Sequence, residues 1–394
     1  MEMTQDELAN VSQRMLWTTD KMALLAKISE EFKTKRPFAG LRIGVSLHLE
    51  PKTAVLLLAL KEGGADVVAA GNYGTTQDDV AAYLRANDVD ARGRRSDSHE
   101  EHLMVVRSIL DSKPDILLDN GADLARGAID RNLTLLGGTE ETTSGHNLLA
   151  GELAPLVNFP VIVINDSPLK ALVENKHAVG QSVYESFCRH TNLMPQGKRV
   201  LVVGYGWCGR GIAHYMRANG CEVSVAEIDE VKAMEAALDG FRVTHSVVRQ
   251  IAAVDIVLTA TGAAGSVIGA VELEALSDGT LLANAGHFDT EIDIQLLHSL
   301  TDSLIPLGPA LMRHVLTDGR TVDVIAEGRM MNLAGIQAKG NTIESMDLGF
   351  SIQARSLERI ATGHDALTPG AQPVPDDINR SLATEFTRQM GNAV

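Results

Sequence analysis

Val200-Leu201-Val202-Val203-Gly204-Tyr205-Gly206-Trp207-Cys208-Gly209 decides how this chain folds. Its consecutive aliphatic residues show no polar alternation and read as a strand buried on both faces, the kind that parallel sheets use. The glycines that follow are spaced GxGxxG, and residues 210–219 continue with a helical pattern. A second apolar run over 222–226 then ends at the acid Glu227. Strand, glycine turn, helix, strand and acid, in that order, are the fingerprint of a dinucleotide site. Gly204 permits the tight turn, Gly206 lets the main chain approach a pyrophosphate, and Gly209 lets helix and strand pack closely. The helix N-terminus then faces the phosphate charge. Glu227 is placed to accept hydrogen bonds from a ribose diol and to repel a 2′-phosphate, so the expected cofactor is NAD and not NADP.

The same rhythm of short apolar runs and helical patterns extends in both directions, which predicts parallel sheets with crossover helices. Upstream, residues 41–47, 66–70, 115–118, 133–136 and 160–164 read as strands, and 51–61 as a helix ending at Gly63-Gly64. A helix over 181–191 leads to Gly197-Lys198-Arg199, where the second unit begins. That unit continues through 256–259 and 280–283 to a glycine-bearing region near 329–340. Pro369, Pro373 and Pro375 then precede a short helix over 377–390. The expected fold class is α/β with two domains, a Rossmann NAD-binding domain inserted after a larger α/β substrate-binding domain. Residues 1–180, rejoined by 334–361, form the substrate-binding domain, 181–333 the NAD domain, and 362–394 a C-terminal appendage.

Composition narrows the partners. The 394 residues suffice for two or three domains at about 150 residues each. With 45% hydrophobic and 22% charged residues the chain is of ordinary globular composition. Its net charge of −16 repels a phosphate backbone, and aromatics at 4% leave few stacking platforms, so nucleic acid is not an expected partner. The acidic start, Met1-Glu2-Met3-Thr4-Gln5-Asp6-Glu7, lacks the basic and apolar regions of a secretion signal. The least polar long stretch, 256–271, is broken by Thr259, Gly262 and Gly265, too short and polar for a membrane span. Cys188, Cys208 and Cys221 are odd in number and lack CxxC spacing, which fits a reducing cytoplasm without a disulfide framework or a metal site. No HExxH or GxSxG motif is present. A small-molecule substrate is expected, with no membrane partner.

Longer stretches carry a family resemblance. Gly204-Tyr-Gly-Trp-Cys-Gly-Arg-Gly211, Ala283-Asn-Ala-Gly-His287-Phe-Asp-Thr-Glu-Ile-Asp293, Glu140-Glu-Thr-Thr-Ser-Gly145, Asn165-Asp-Ser-Pro-Leu-Lys170 and Thr76-Gln-Asp-Asp79 stand in family order over about residues 17–360. Together they resemble S-adenosyl-L-homocysteine hydrolases, most of all the archaeal-type branch. The resemblance implies a redox-assisted cycle on an adenine nucleoside: transient oxidation of the 3′-hydroxyl, β-elimination of the 5′ substituent, addition of water, and re-reduction. It also implies a tightly held NAD that is recycled each turn, a cleft between the domains that closes on substrate, and a homo-oligomer, dimer or tetramer.

Residue by residue, Glu141 resembles the carboxylate that binds the sugar hydroxyls, and Lys170 the lysine that takes the 3′-hydroxyl proton. His48 and His287 resemble the two histidines near the reacting sugar. Thr142, Thr143, Ser144, Asn175 and Asn332 resemble contacts around the nicotinamide, with Trp207, Cys208, Thr259, Asn284 and Gly286 as further cofactor-binding positions beside the glycine motif. Read alone, Glu140-Glu141 is a solvated loop, Lys170 a surface lysine and His48 a core or surface residue. It is their joint match that makes them candidates.

Four departures touch the chemistry. Where the family has Asp-Asp-Gly, this chain has Asp119-Asn120-Gly121, and Asn120 can orient a hydroxyl but cannot exchange a proton. Glu174, in Val173-Glu174-Asn175, stands where the family has aspartate and extends the carboxylate by a methylene. Gly340-Asn341-Thr342 replaces Gly-His-Pro, and the Lys-Pro-x-x-Tyr-Arg-Tyr tail is missing. Two enzymatic readings follow. One is hydrolysis of S-adenosylhomocysteine; the other stops at elimination, as a nucleoside dehydratase forming an exocyclic alkene in natural-product biosynthesis. A third reading is a silent NAD-binding regulatory paralogue.

Overall fold

The structure is a computed structural model that describes residues 5–263, 265–335 and 337–391. The described residues within Met1–Ala171 and Ile343–Val394 form one compact unit, and those within Leu172–Thr342 a second. The chain therefore changes unit at Ala171/Leu172 and Thr342/Ile343, earlier and later respectively than the glycines and apolar runs suggest. The first change lies inside a nine-residue π-helix, Lys170–Ala178, where a sequence pattern offers no break. Among the described residues no helix is long and apolar enough to cross a membrane.

The first unit carries a seven-stranded parallel sheet. Its strands are β1 (Arg42–Ser46), β2 (Asp66–Ala70), β3 (Asp90–Arg92), β4 (Ile116–Asp119), β5 (Gly137–Glu140), β6 (Pro160–Val163) and β15 (Gly370–Pro373). Their order, β15-β6-β5-β4-β1-β2-β3, is doubly wound, so direction of travel reverses between β1 and β4. Open α/β sheets bind ligands at the carboxyl ends of the strands beside such a reversal. That end of the sheet holds His48 after β1, Asn72 after β2, Asn120 after β4 and Glu141 after β5.

Two sequence expectations need correction here. Residues 133–136 form no strand; Leu133 and Leu135 pack at the edge of an apolar cluster, and the strand follows them as Gly137-Gly138-Thr139-Glu140, fully buried. Glycine pairs have poor strand propensity, so this strand is set by its neighbours β4 and β6 rather than by its own residues. The stretch expected as an appendage over 362–394 belongs to the unit through its described residues: β15 pairs in parallel with β6, Gly370 opposite Pro160. The helix Asp376–Gln389 follows it and buries Ile378 and Leu382.

The second unit contains β7 (Arg199–Val203), β8 (Glu222–Ala226), β9 (Arg242–Thr244), β10 (Ile256–Thr259), β11 (Thr280–Asn284), β12 (Thr301–Gly308), β13 (Leu311–Leu316) and β14 (Thr321–Ile325). Their order is β12-β13-β14-β11-β10-β7-β8-β9. The six strands from β14 to β9 are parallel and in the dinucleotide-fold order, with the reversal between β7 and β10. An antiparallel hairpin, β12 and β13, extends the sheet beyond β14. Apolar clusters cover both faces of the sheet: Val200, Val202 and Ile212 belong to one, Leu201, Val203 and Ile251 to the other.

Candidate active site

The carboxyl end of the first sheet is built on buried acids. Asp119, the last residue of β4, accepts hydrogen bonds from the main-chain N–H of Asn120 at 3.0 Å and of Ala125 at 2.8 Å. Glu140, the last residue of β5, is wholly buried and accepts from the N–H groups of Gly121, Ala122 and Thr142 at 2.8–3.0 Å and from the Thr142 hydroxyl at 2.7 Å. Burial pushes both carboxyls above their ordinary range, Asp119 the more so because the Glu140 charge adds to it. These two acids tie the loop after β4 to the loop after β5 and thereby fix their neighbours Asn120 and Glu141.

Glu141 is buried, not solvated. One carboxylate oxygen is paired with the Lys170 ammonium, and the other accepts from the Gln353 side-chain amide. Lys170 is 3% and Gln353 0% exposed. A lysine removed from water this far needs a carboxylate partner, and its place at the start of a π-helix suits a functional position. Gln353 comes from the long helix Ile343–Gly363 and was not singled out by the sequence. Its neighbours Ser351, Ile352, Ala354 and Arg355 mix polar and apolar types and leave it unmarked.

After β1, His48 Nδ1 lies 2.8 Å from the Thr75 hydroxyl, which donates to the Asn72 carbonyl at 2.9 Å. The Thr75 proton is thus committed, so Nδ1 carries the histidine proton and Nε2 the lone pair. The Asn72 amide donates to Asn120 Oδ1 at 2.7 Å, which links the ends of β2 and β4. Thr142 caps the helix Thr143–Ala150 through Gly145 N–H at 3.0 Å, Ser144 is buried beside it, and Thr143 accepts from the Asn165 amide at 2.8 Å.

In the second unit the glycine motif occupies the carboxyl end of β7. Gly204 has φ +98°, and a methyl on Gly209 would lie 2.0 Å from the Gly204 carbonyl oxygen, so neither position tolerates a side chain. Gly206 caps the helix Trp207–Ala218 and faces open space. Trp207 and Cys208 form the first turn of that helix. Glu227, buried at the end of β8, accepts from Tyr205 N–H at 2.6 Å and from Ile228 and Asp229 N–H at 2.8 and 2.9 Å. Its oxygens retain lone pairs for a diol.

Across the reversal, Thr259 ends β10 and donates its hydroxyl to Asn284 Oδ1 at 2.9 Å. Asn284 also accepts from Gly286 N–H at 2.7 Å and donates to the carbonyls of Phe288 and Gly328 at 2.8 and 3.0 Å. With both ends of its amide engaged it braces the loop. Glu291, also missed by the sequence, is wholly buried and accepts from the N–H groups of Thr261 and Gly262 at 3.0 and 2.8 Å. His287 follows Gly286 in the braced loop, and burial holds its imidazole below the ordinary range. Elsewhere in this unit, Asn332 donates to the Ser182 hydroxyl at 2.9 Å, Ser182 donates to Asn341 at 3.2 Å, and Asn341 donates to Glu174 at 3.4 Å. Asn175 is buried one residue along the π-helix.

Comparison with known proteins agrees with this geometry. The family model described as S-adenosyl-L-homocysteine hydrolase matches residues 5–132, and that described as S-adenosyl-L-homocysteine hydrolase, NAD binding domain, matches 175–338. The chain belongs to the S-adenosyl-L-homocysteine hydrolase family. It is 42% identical to the S-inosyl-L-homocysteine hydrolase of Methanopyrus kandleri, over 95% of this chain and 89% of that one. To the adenosylhomocysteinase of Pyrococcus abyssi it is 41% identical over the same shares, and to that of Thermotoga maritima 38% over 93% and 91%.

As a family member the chain is an NAD-dependent enzyme of the hydrolase type that acts on a nucleoside. The residues present fit the cofactor. The space over Gly206 admits a pyrophosphate against the helix N-terminus, and Asn332 Oδ1 is a buried acceptor with no hydrogen-bond partner, matched to the N–H of a nicotinamide carboxamide.

Proposed function

We propose that this enzyme hydrolyses, reversibly, the thioether of an S-nucleosyl-L-homocysteine, with adenine as the expected base. The observation that carries the reading is the buried trio of Glu141, Lys170 and Gln353 at the carboxyl end of β5. In it an acceptor for sugar hydroxyls is held rigidly against an amine that can move a proton. Relatives of nearly equal identity are named adenosylhomocysteinase and S-inosyl-L-homocysteine hydrolase, so inosine is the nucleoside to test beside adenosine.

NAD+, when bound, supplies a hydride acceptor for the 3′ carbon and returns the hydride at the end of the cycle. Glu141 accepts from the sugar hydroxyls, and Lys170 Nζ, in its neutral form, takes the 3′-hydroxyl proton. The resulting ketone acidifies the 4′ hydrogen, and loss of that proton expels the 5′ thiolate. His48, with its lone pair on Nε2, is the group of the first unit suited to move the protons of elimination and water addition. Asn120 offers an amide where a carboxylate would exchange a proton, and so positions substrate without taking part in transfer. Burial keeps His287 neutral at pH 7, able to accept a proton.

Asn120 also favours the second reading, release of the unsaturated nucleoside after elimination. One experiment separates the two: incubate the holoenzyme with S-adenosylhomocysteine or S-inosylhomocysteine, then measure free thiol and product mass. Thiol together with nucleoside supports the hydrolase. No thiol, but loss of one water from a 5′-hydroxy nucleoside, supports the dehydratase and refutes the first reading.

A further inference from the structure

Beyond β2 the chain passes through Gly71, Asn72 and Tyr73, and beyond β3 it turns at Gly93, φ +79°, into Arg94 and Asp97. Between these loops and the helix His99–Asp111 lies an open recess lined by Asn72, Tyr73, Arg94, Asp97 and His102. Its chemistry is unusual for a chain of net charge −16. Arg94 is exposed, and among the described residues its guanidinium enters no ion pair or hydrogen bond; only its main-chain N–H is engaged, with Asp97 Oδ2 at 2.7 Å. Asp97 thus holds the Arg94 main chain and forms no ion pair with its guanidinium, whose charge is felt instead by Glu101. His102, buried, lines the recess, and Tyr73 stands edge-on to His99 with ring centroids 5.5 Å apart and tilted against His102 at 6.0 Å. One wall of the recess is Asn72, whose amide is bonded to Asn120. The recess thus adjoins the polar ends of β2 and β4, where the sugar is placed in the proposed function.

We propose that this recess holds the α-amino-acid end of the substrate, with Arg94 receiving the α-carboxylate and Asp97 the α-ammonium. This inference rests on the hydrolase reading, and it names the part of the substrate that the trio of Glu141, Lys170 and Gln353 does not explain. A guanidinium and a carboxylate that line one recess without pairing with each other match a zwitterion. They do not match a phosphate, which Asp97 would repel, nor a bare hydroxyl, which leaves Arg94 without purpose. Tyr73 and His102 offer apolar ring surface to the methylenes between sulfur and the α-carbon. Burial holds the His102 imidazole below its ordinary range, so it adds no charge at pH 7.

The test compares substrates with and without the tail charges. In the wild-type holoenzyme, S-adenosylhomocysteine should exceed a 5′-thioadenosine carrying a 3-aminopropyl chain by roughly 10- to 100-fold in kcat/KM, the range for one hydrogen-bonded charge. In Arg94→Gln that preference should collapse to about threefold or less, and Arg94→Lys should recover part of it, since lysine keeps the charge without the fork. Asp97→Asn should in the same way abolish preference over the 3-carboxypropyl analogue, which lacks the amine. Exchange of the 4′ hydrogen of adenosine in deuterium oxide reports the chemistry without any tail. If wild-type enzyme shows no exchange, the hydrolase reading falls and this inference with it. If exchange proceeds and Arg94→Gln keeps the wild-type preference for the carboxylate, the inference alone is overturned.

Discussion

Replacing Gln353 by leucine separates stability from catalysis. The wild-type side chain is 0% exposed; its Nε2 donates to the Glu141 carboxylate, while its Oε1 is buried without a hydrogen-bond partner. Losing a hydrogen bond to a charged group costs about 1.5–3 kcal/mol, and removing an orphaned buried carbonyl returns about 1–3 kcal/mol. The two nearly cancel, so thermal unfolding of Gln353→Leu should shift by less than about 4 °C. Glu141, however, keeps one of its two anchors. A carboxylate free to swing by about 1 Å costs on the order of 10²-fold in rate, and that is the expected loss in initial thiol release from S-adenosylhomocysteine. Gln353→Glu sharpens the test, because two buried carboxyls must share a proton and the pair's upper pKa rises. The protonated partner can donate as the amide did, so its activity should return as pH falls and fade as pH rises. An unchanged kcat/KM in Gln353→Leu with an unchanged unfolding temperature would refute the positioning role, as would a fall of 10 °C or so with full activity.

Gly206→Ala places its methyl in open space, so calorimetry should find the fold intact and titration should find NAD binding weakened at least about tenfold. Gly209→Ala, 2.0 Å from a carbonyl oxygen, should instead lower the unfolding temperature by several degrees. Lys170→Ala and His287→Ala should abolish turnover with circular dichroism unchanged; wild-type rates in either would sink its assignment. Asn120→Asp should raise thiol release by about tenfold or more if proton transfer at that position limits the enzyme, and an unaltered rate would clear Asn120 of that role. Asp347 accepts from Leu24 and Leu25 N–H at 2.9 and 2.8 Å, and burial raises its carboxyl from 3.8 to about 6. The folded state then binds the proton more tightly than the unfolded one. Its stabilising contribution is fully present below pH 3.8 and declines as pH rises through about 6. The stability of wild type minus that of Asp347→Asn should therefore fall across this window by at most about 3 kcal/mol, and denaturant titrations showing it constant would contradict this.

What the sequence discloses is local chemistry with a fixed spacing. The motif from Val200 to Gly209 is legible because its strand, its glycines and the helix they open are contiguous in sequence, Gly209 packing on the Gly204 carbonyl within the motif itself, and the strands around it are continuous aliphatic runs. The strand Gly137–Glu140 is hidden because its residues have no preference of their own; β4 and β6 impose its conformation. Gln353 and Glu291 are hidden for a related reason. Each acts on residues brought near only by folding, Gln353 on Glu141 and Glu291 on Thr261 and Gly262, so that even within a recognised motif the role of Glu291 is not written in its neighbours. The π-helix starting at Lys170 is likewise invisible, since its wider turn leaves no mark on residue type.

The departures from the family pattern are not scattered in space. Asn341, which replaces a histidine, donates to Glu174, which replaces an aspartate, at 3.4 Å within one unit. A shorter amide meets a longer carboxylate, so each change supplies the reach that the other gives up. Asn120 stands in a wall where Asp119 and Glu140 are already buried and pushed toward their neutral forms. A third carboxylate there would add its own desolvation cost to a crowded negative site, whereas the amide finds Asn72 as a partner at 2.7 Å. Each replaced side chain thus keeps a hydrogen-bond partner within its own unit, as a working site requires, and this argues against the silent regulatory reading.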